Sequence, residues 1–264
     1  MEWWLGYLAI GAVVGFFAGL LGIGGGAIMV PLLVMLFDAQ GLPKEQLLHL
    51  AVGTGMATIL LTSISSVRAH SRRGALRWDL VKAMTPGMLL GGLAGSAVAG
   101  SIPTRVLALL FSIIIFFAAA NILVEQKPAP SRALPRAGVF FFGGFVISVA
   151  SAFAAIGGAF MTVPFLVYAQ VPMLQAIGTA AALGFPIALS SSVGFVAAGL
   201  ASSGLAPWSL GYVYLPAFAG ITITSVLFAP LGAYLAYRLP TRVLRRVFAF
   251  LMFSMAIKMM ASLW

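Results

Sequence analysis

The chain has 264 residues, 62% of them hydrophobic and 8% charged, against about 25% charged in an ordinary soluble domain, so a soluble fold is excluded. With no Cys, two His and five carboxylates, disulfides and thiolate chemistry are ruled out and little remains to ligate a metal; neither metal nor cofactor is expected. The net charge of +10 falls in short gaps between apolar runs, where it sets membrane topology rather than binding nucleic acid.

Along the chain, MEWWLGYL has no basic region and leads into a long apolar stretch without a cleavage signal, so it reads as retained, with its Trp pair at the lipid-water interface. Apolar runs follow at 4–37, 47–69, 80–101, 104–124, 137–169, 174–200, 209–237 and 243–263. A helical span takes about 20 residues, which makes the first and fifth runs too long for one simple helix. Each holds a Gly cluster followed by a Pro, the residues that most disfavour an unbroken helix. Both are therefore expected to break, into 4–22 and 27–37 and into 137–155 and 159–169. The predicted class is an all-α polytopic membrane protein of about eight transmembrane segments.

The two broken segments match: IGGGAIMVPLLV from Ile23 against IGGAFMTVPFLV from Ile156. The match continues through AVGT ending at Thr54 and AIGT ending at Thr179, then Gly74, Trp78 and Pro86 against Gly204, Trp208 and Pro216. It closes with PTRVL at Pro103 to Leu107 and again at Pro240 to Leu244. The chain is thus expected to hold two four-segment repeats, 1–126 and 137–264, joined by a linker at 127–136. If each broken segment enters and returns on one side, the repeats are inverted. Arg68, Arg72, Arg73, Arg77 and Lys82 then join Lys127, Arg132, Arg136, Arg238, Arg242, Arg245 and Arg246 in the cytoplasm, leaving only Lys44, Arg105 and Lys258 opposite.

A helix broken at membrane depth is tolerated only where protein or a water-filled cavity surrounds it, so the breaks are the leading site candidates. Gly24, Gly25 and Gly26 permit positive φ and close approach of a ligand to the backbone. The matching Gly157, Gly158 and Ala159 form the second break. Each following half-helix presents unpaired N–H groups and about half a positive charge, so two together suit an anion without a buried Lys or Arg. Pairs such as Gly91 and Gly95 read instead as close helix packing. Thr54 and Thr179, at equivalent repeat positions, are candidate hydroxyl ligands; Ser65, Ser66, Ser190, Ser191 and Ser192 either line a polar path or bond back to their own helices. The carboxylates Glu2, Asp38, Glu45, Asp79 and Glu125 lie at run ends, which disfavours a carboxylate proton relay. Lys258, whose repeat equivalent is Asn121, reads as snorkelling to the interface. His49 reads as a wet helix-end histidine, and His70 belongs to the Arg-rich loop.

GLLGIGGGAIMVP ending at Pro31, AIGGAFMTVP ending at Pro164 and the AVGT and AIGT segments resemble the TauE/SafE sulfite exporter family, also described as toluene sulfonate uptake permeases. The resemblance covers nearly the whole chain. It implies transport of small sulfur-containing anions such as sulfite, sulfoacetate or other organosulfonates across the bacterial inner membrane. By motif position it places the binding region at Gly24 to Gly26, Thr54, Gly157, Gly158 and Thr179. Ala159 departs from the motif's third Gly and Ala155 from its leading one. The expected function is export by alternating access around a midplane site, with a passive anion channel and an intramembrane serine hydrolase as rivals. The expected partners are the small anion and membrane lipid, with room for a homo-oligomer.

Overall fold

The computed structural model describes residues 3–21, 25–71, 74, 76–123, 137–236 and 241–261. Gly24, the 127–136 linker, Arg72, Arg73, Arg238 and Pro240 lie outside the described residues. The first half contains α1 (Trp3–Leu21), α2 (Gly26–Ala39), α3 (Leu47–Ser71), α4 (Trp78–Ser101) and α5 (Thr104–Leu123). The second contains α6 (Ala137–Ala154), α7 (Ala159–Tyr168), α8 (Met173–Leu200), α9 (Leu215–Ala236) and α10 (Thr241–Ala261). Between α8 and α9 stands a small hairpin of β1 (Ser209–Leu210) and β2 (Val213–Tyr214).

The result is an all-α membrane protein. Among the described residues five stretches are long and apolar enough to cross a bilayer: Leu47–Arg68, Thr104–Asn121, Ala137–Ala154, Met173–Leu200 and Leu215–Gly232. Shorter apolar stretches lie in α1, α2, α7 and α10. α4 is as long as a span, but it is Gly-rich and carries Asp79 and Lys82 in its first two turns, which weakens its apolar character.

Both broken segments double back. The Tyr7 hydroxyl, early in α1, lies 2.8 Å from Gln40 Oε1, just past the end of α2. In the second half the rings of Phe140, early in α6, and Phe165, late in α7, meet edge to face with centroids 6.0 Å apart. A helix that simply continued through its break would carry these partners to opposite ends.

Small residues set the helix directions. Gly11, Gly15 and Gly19 of α1 sit against the backbone of Ile221, Ser225 and Ala229, so α1 and α9 run parallel in close contact. Gly87, Gly91 and Gly95 of α4 sit likewise against Phe141, Phe145 and Val149 of α6. Such approach is what a stripe of residues without side chains permits in lipid, where apolar burial alone cannot drive helices together. Gly91 and Gly95 therefore have the packing role expected of them. On its other side α4 runs parallel to α8, with Gly92 at Ser190 and Gly194 at Ser96. α3 runs against α4, since His49 near the start of α3 meets Ile102 just past the end of α4. The helices α3 and α8 consequently point in opposite directions.

The hairpin corrects part of the repeat register. Trp78 is the first residue of α4, whereas Trp208 precedes β1 with a φ of 66°. Pro86 lies deep in α4, while Pro216 is the second residue of α9. The hairpin at Ser209–Tyr214 is extra chain that α3 and α4 do not have between them, so the Trp and Pro pairs do not occupy equivalent places. Gly74 and Gly204 do correspond, with φ of 63° and 71°.

Candidate functional site

The two breaks are built alike. Gly25 caps α2 at φ 67°, ψ −7°, and Gly158 caps α7 at φ 72°, ψ −15°; neither helix start has a side-chain cap. This left-handed geometry costs an L-residue roughly 1–2 kcal/mol, which accounts for Gly at both positions. Ile28 and Met29 donate their N–H groups to the Gly25 carbonyl at 3.2 and 3.1 Å. Met161 and Thr162 donate to the Gly158 carbonyl at 3.0 and 2.8 Å. The preceding N–H groups, of Gly26 and Ala27 and of Ala159 and Phe160, have no acceptor within their own helices. All four residues are buried, where a donor needs a partner and the positive end of the helix dipole favours an anion.

The structure brings the two breaks together. Gly26 rests on the Ala155 carbonyl oxygen, so closely that a Cβ would overlap it. Ala155 itself adopts a φ of 47°. Gly55 of α3 faces the same crossing, where an added Cβ would lie 3.2 Å from that of Ala155. The Gly157 carbonyl points toward Gly184 of α8, 3.3 Å from the place of its missing Cβ. Gly24 lies outside the described residues.

Thr54 and Thr179 are placed in equivalent surroundings, each wholly buried. The Tyr214 N–H, immediately before α9, donates to Thr54 Oγ1 at 2.9 Å. The Arg77 N–H, immediately before α4, donates to Thr179 Oγ1 at 3.1 Å. Thr54 thus holds the start of α9 and Thr179 the start of α4, each in the opposite half, work that their sequence positions did not disclose.

His49 is not a wet helix-end residue. It is 4% exposed, with Nε2 3.1 Å from the Ile102 carbonyl oxygen and Nδ1 3.3 Å from the Thr104 hydroxyl. The Tyr212 ring from the hairpin lies across it, with centroids 5.0 Å apart. The end of α4 and the inserted hairpin cover a position that sequence alone leaves at a helix end.

Ser65 Oγ bonds back to the Thr62 carbonyl and Ser190 Oγ to the Pro186 carbonyl. Ser191 Oγ and Ser192 Oγ are buried without a partner. So is Thr162 Oγ1, one turn into α7, and the sequence reading passed over it. The available signal was a hydroxyl at the repeat position that Met29 fills in the first half. Asp38, Glu45 and Asp79 are exposed, and among the described residues no three His, Asp or Glu side chains gather as metal ligands. Asp79 pairs with Arg77 at 2.6 Å, and this partner raises the guanidinium pKa.

A family model described as Sulfite exporter TauE/SafE matches residues 7–259. A Haemophilus influenzae protein named "Probable membrane transporter protein" is 34% identical over 255 residues, 96% of either chain. A protein of the same description from Methanocaldococcus jannaschii is 25% identical over 246 residues, covering 90% of this chain and 88% of its own. No solved structure matches the chain.

Proposed function

The chain belongs to the sulfite exporter TauE/SafE family of membrane transporters, and from that premise we propose that it exports small sulfur-containing anions such as sulfite, sulfoacetate or other organosulfonates across the bacterial inner membrane. The observation that carries this reading is the pair of breaks, each capped by a left-handed glycine at a buried helix start, that touch where Gly26 rests on Ala155. Their first-turn N–H groups supply donors and two dipole ends without a fixed charge. An anion held by such donors, each worth about 1 kcal/mol net, is held weakly enough to leave. A buried Arg clamp would hold a dianion more tightly.

The proposed substrate site comprises Gly24, Gly25 and Gly26 with Gly157, Gly158 and Ala159, and with Thr54 and Thr179, whose hydroxyls also accept from the N–H groups that precede α9 and α4. The opposed directions of α3 and α8 and the return of both broken segments support an inverted repeat, with alternating access around the crossing. Transport, rather than conversion, is the activity we read from the family and its relatives.

The decisive experiment measures uptake of radiolabelled sulfite into liposomes holding the purified protein, with sulfoacetate, taurine, sulfate and chloride as competitors and with or without a pH gradient. Saturable flux blocked by sulfoacetate but not by chloride is expected, and flux that does not saturate would favour a channel. Gly25→Leu and Gly158→Leu should each abolish flux in protein that still inserts. Unaltered flux in both would refute the site. Labels attached at Arg72 and at Arg242 should both react from the cytoplasm, and opposite labelling would refute the inverted arrangement.

A further inference from the structure

We propose that the groove between α3, α4 and α8 binds an anionic phospholipid, one acyl chain lying along its apolar walls and the headgroup phosphate at Arg68. The groove encloses about 450 Å³ and is lined by Arg68, Trp78, Leu89, Phe185 and Leu189 among others. It opens to the outside of the protein, where Trp78 is 51% and Leu189 37% exposed.

Its length suits one leaflet. From Trp78 at the start of α4 to Leu89 the helix rises about 16 Å, roughly half of a hydrocarbon core about 30 Å thick. Its polarity is that of an amphiphile. Arg68 and the interfacial Trp78 stand together at one end, and the walls beyond are apolar. The one hydroxyl on those walls, Thr85 Oγ1, donates to the Val81 carbonyl at 2.7 Å and is turned to its own helix. No acidic side chain among the described residues pairs with Arg68, since Asp79, the carboxylate nearest in sequence, holds Arg77. An exposed, unmatched guanidinium at the mouth of a leaflet-deep apolar groove fits a phosphate attached to a hydrocarbon chain, and a zwitterionic headgroup, whose own cation already offsets its phosphate, would leave the net charge unbalanced.

Trp78 provides the reporter. The full-length protein is reconstituted in phosphatidylcholine vesicles, and its tryptophan fluorescence is followed as brominated phosphatidylglycerol replaces part of the lipid. Brominated phosphatidylcholine in phosphatidylglycerol serves as the reverse arm. Subtracting the Trp78→Phe signal isolates the groove. One Arg near an anionic surface contributes about 1 kcal/mol, so brominated phosphatidylglycerol should quench Trp78 about fivefold more effectively than phosphatidylcholine. The preference should fall to about one in Arg68→Gln and persist in Arg68→Lys. Equal quenching by the two lipids in the unaltered protein would overturn the proposal. A preference that survives Arg68→Gln, or that disappears in Arg68→Lys, would overturn it as well.

Discussion

The two breaks share a left-handed cap yet differ in the residue that follows it. In the first half that residue is Gly26, with the Ala155 carbonyl where its Cβ would stand. In the second it is Ala159, which keeps a methyl group and is still 4% exposed. One glycine of each cluster therefore answers a backbone torsion and recurs in both halves. The other answers a tertiary contact and is needed on one side only. A sequence motif of three glycines conceals two separate physical requirements.

The sharpest test of this difference is to exchange the residues. Gly26→Ala forces a methyl group into a buried carbonyl, and overpacking of this kind costs about 1–3 kcal/mol or more. Its melting temperature in detergent should drop far below that of Ala159→Gly, which loses only about 1 kcal/mol of helix propensity. Equal losses would break the comparison. The capping glycines should behave as a matched pair. Gly25→Ala and Gly158→Ala should each lose at least the torsional cost of about 1–2 kcal/mol by the same thermal measurement, with a further loss where Val14 or Ile187, each within 3 Å of the added Cβ, must shift; a large inequality would mean that packing rather than torsion governs one of them.

An effect of similar size is expected at the threonines. Thr54→Val and Thr179→Val each strand one backbone N–H, at a cost of about 1–3 kcal/mol where water cannot replace the partner. The Arg77 N–H lies between exposed neighbours at Trp78 and Gly74, so water can compensate there. Thr54→Val should therefore destabilise more than Thr179→Val, as read from melting temperatures. Smallest of all is Asp79→Asn, which removes an exposed ion pair and should change stability by less than about 1 kcal/mol.

Much of this protein was legible in order of appearance. The positions of Gly25 and Gly158 pointed to helix breaks because glycine followed by proline within an apolar run has few other readings in a membrane. The equivalence of Thr54 and Thr179 was likewise visible from AVGT and AIGT. What they hold was not, because their partners Tyr214 and Arg77 lie far along the chain and belong to the opposite half. His49 was misjudged for the same reason. Its cover comes from Ile102 and from Tyr212 of the inserted hairpin, and two-residue strands leave no periodicity to detect.

The membrane class, the all-helical content and the places where the Gly clusters break the long apolar runs were determined by the sequence itself. Composition and short-range spacing fix whether a segment can leave water and where its backbone can turn. Tertiary structure alone decided that the breaks cross one another, that Gly26 must lack a side chain while Ala159 need not, and that the threonines clasp opposite halves. These depend on which distant carbonyl or N–H comes within about 3 Å, a distance that only the packed arrangement of helices sets.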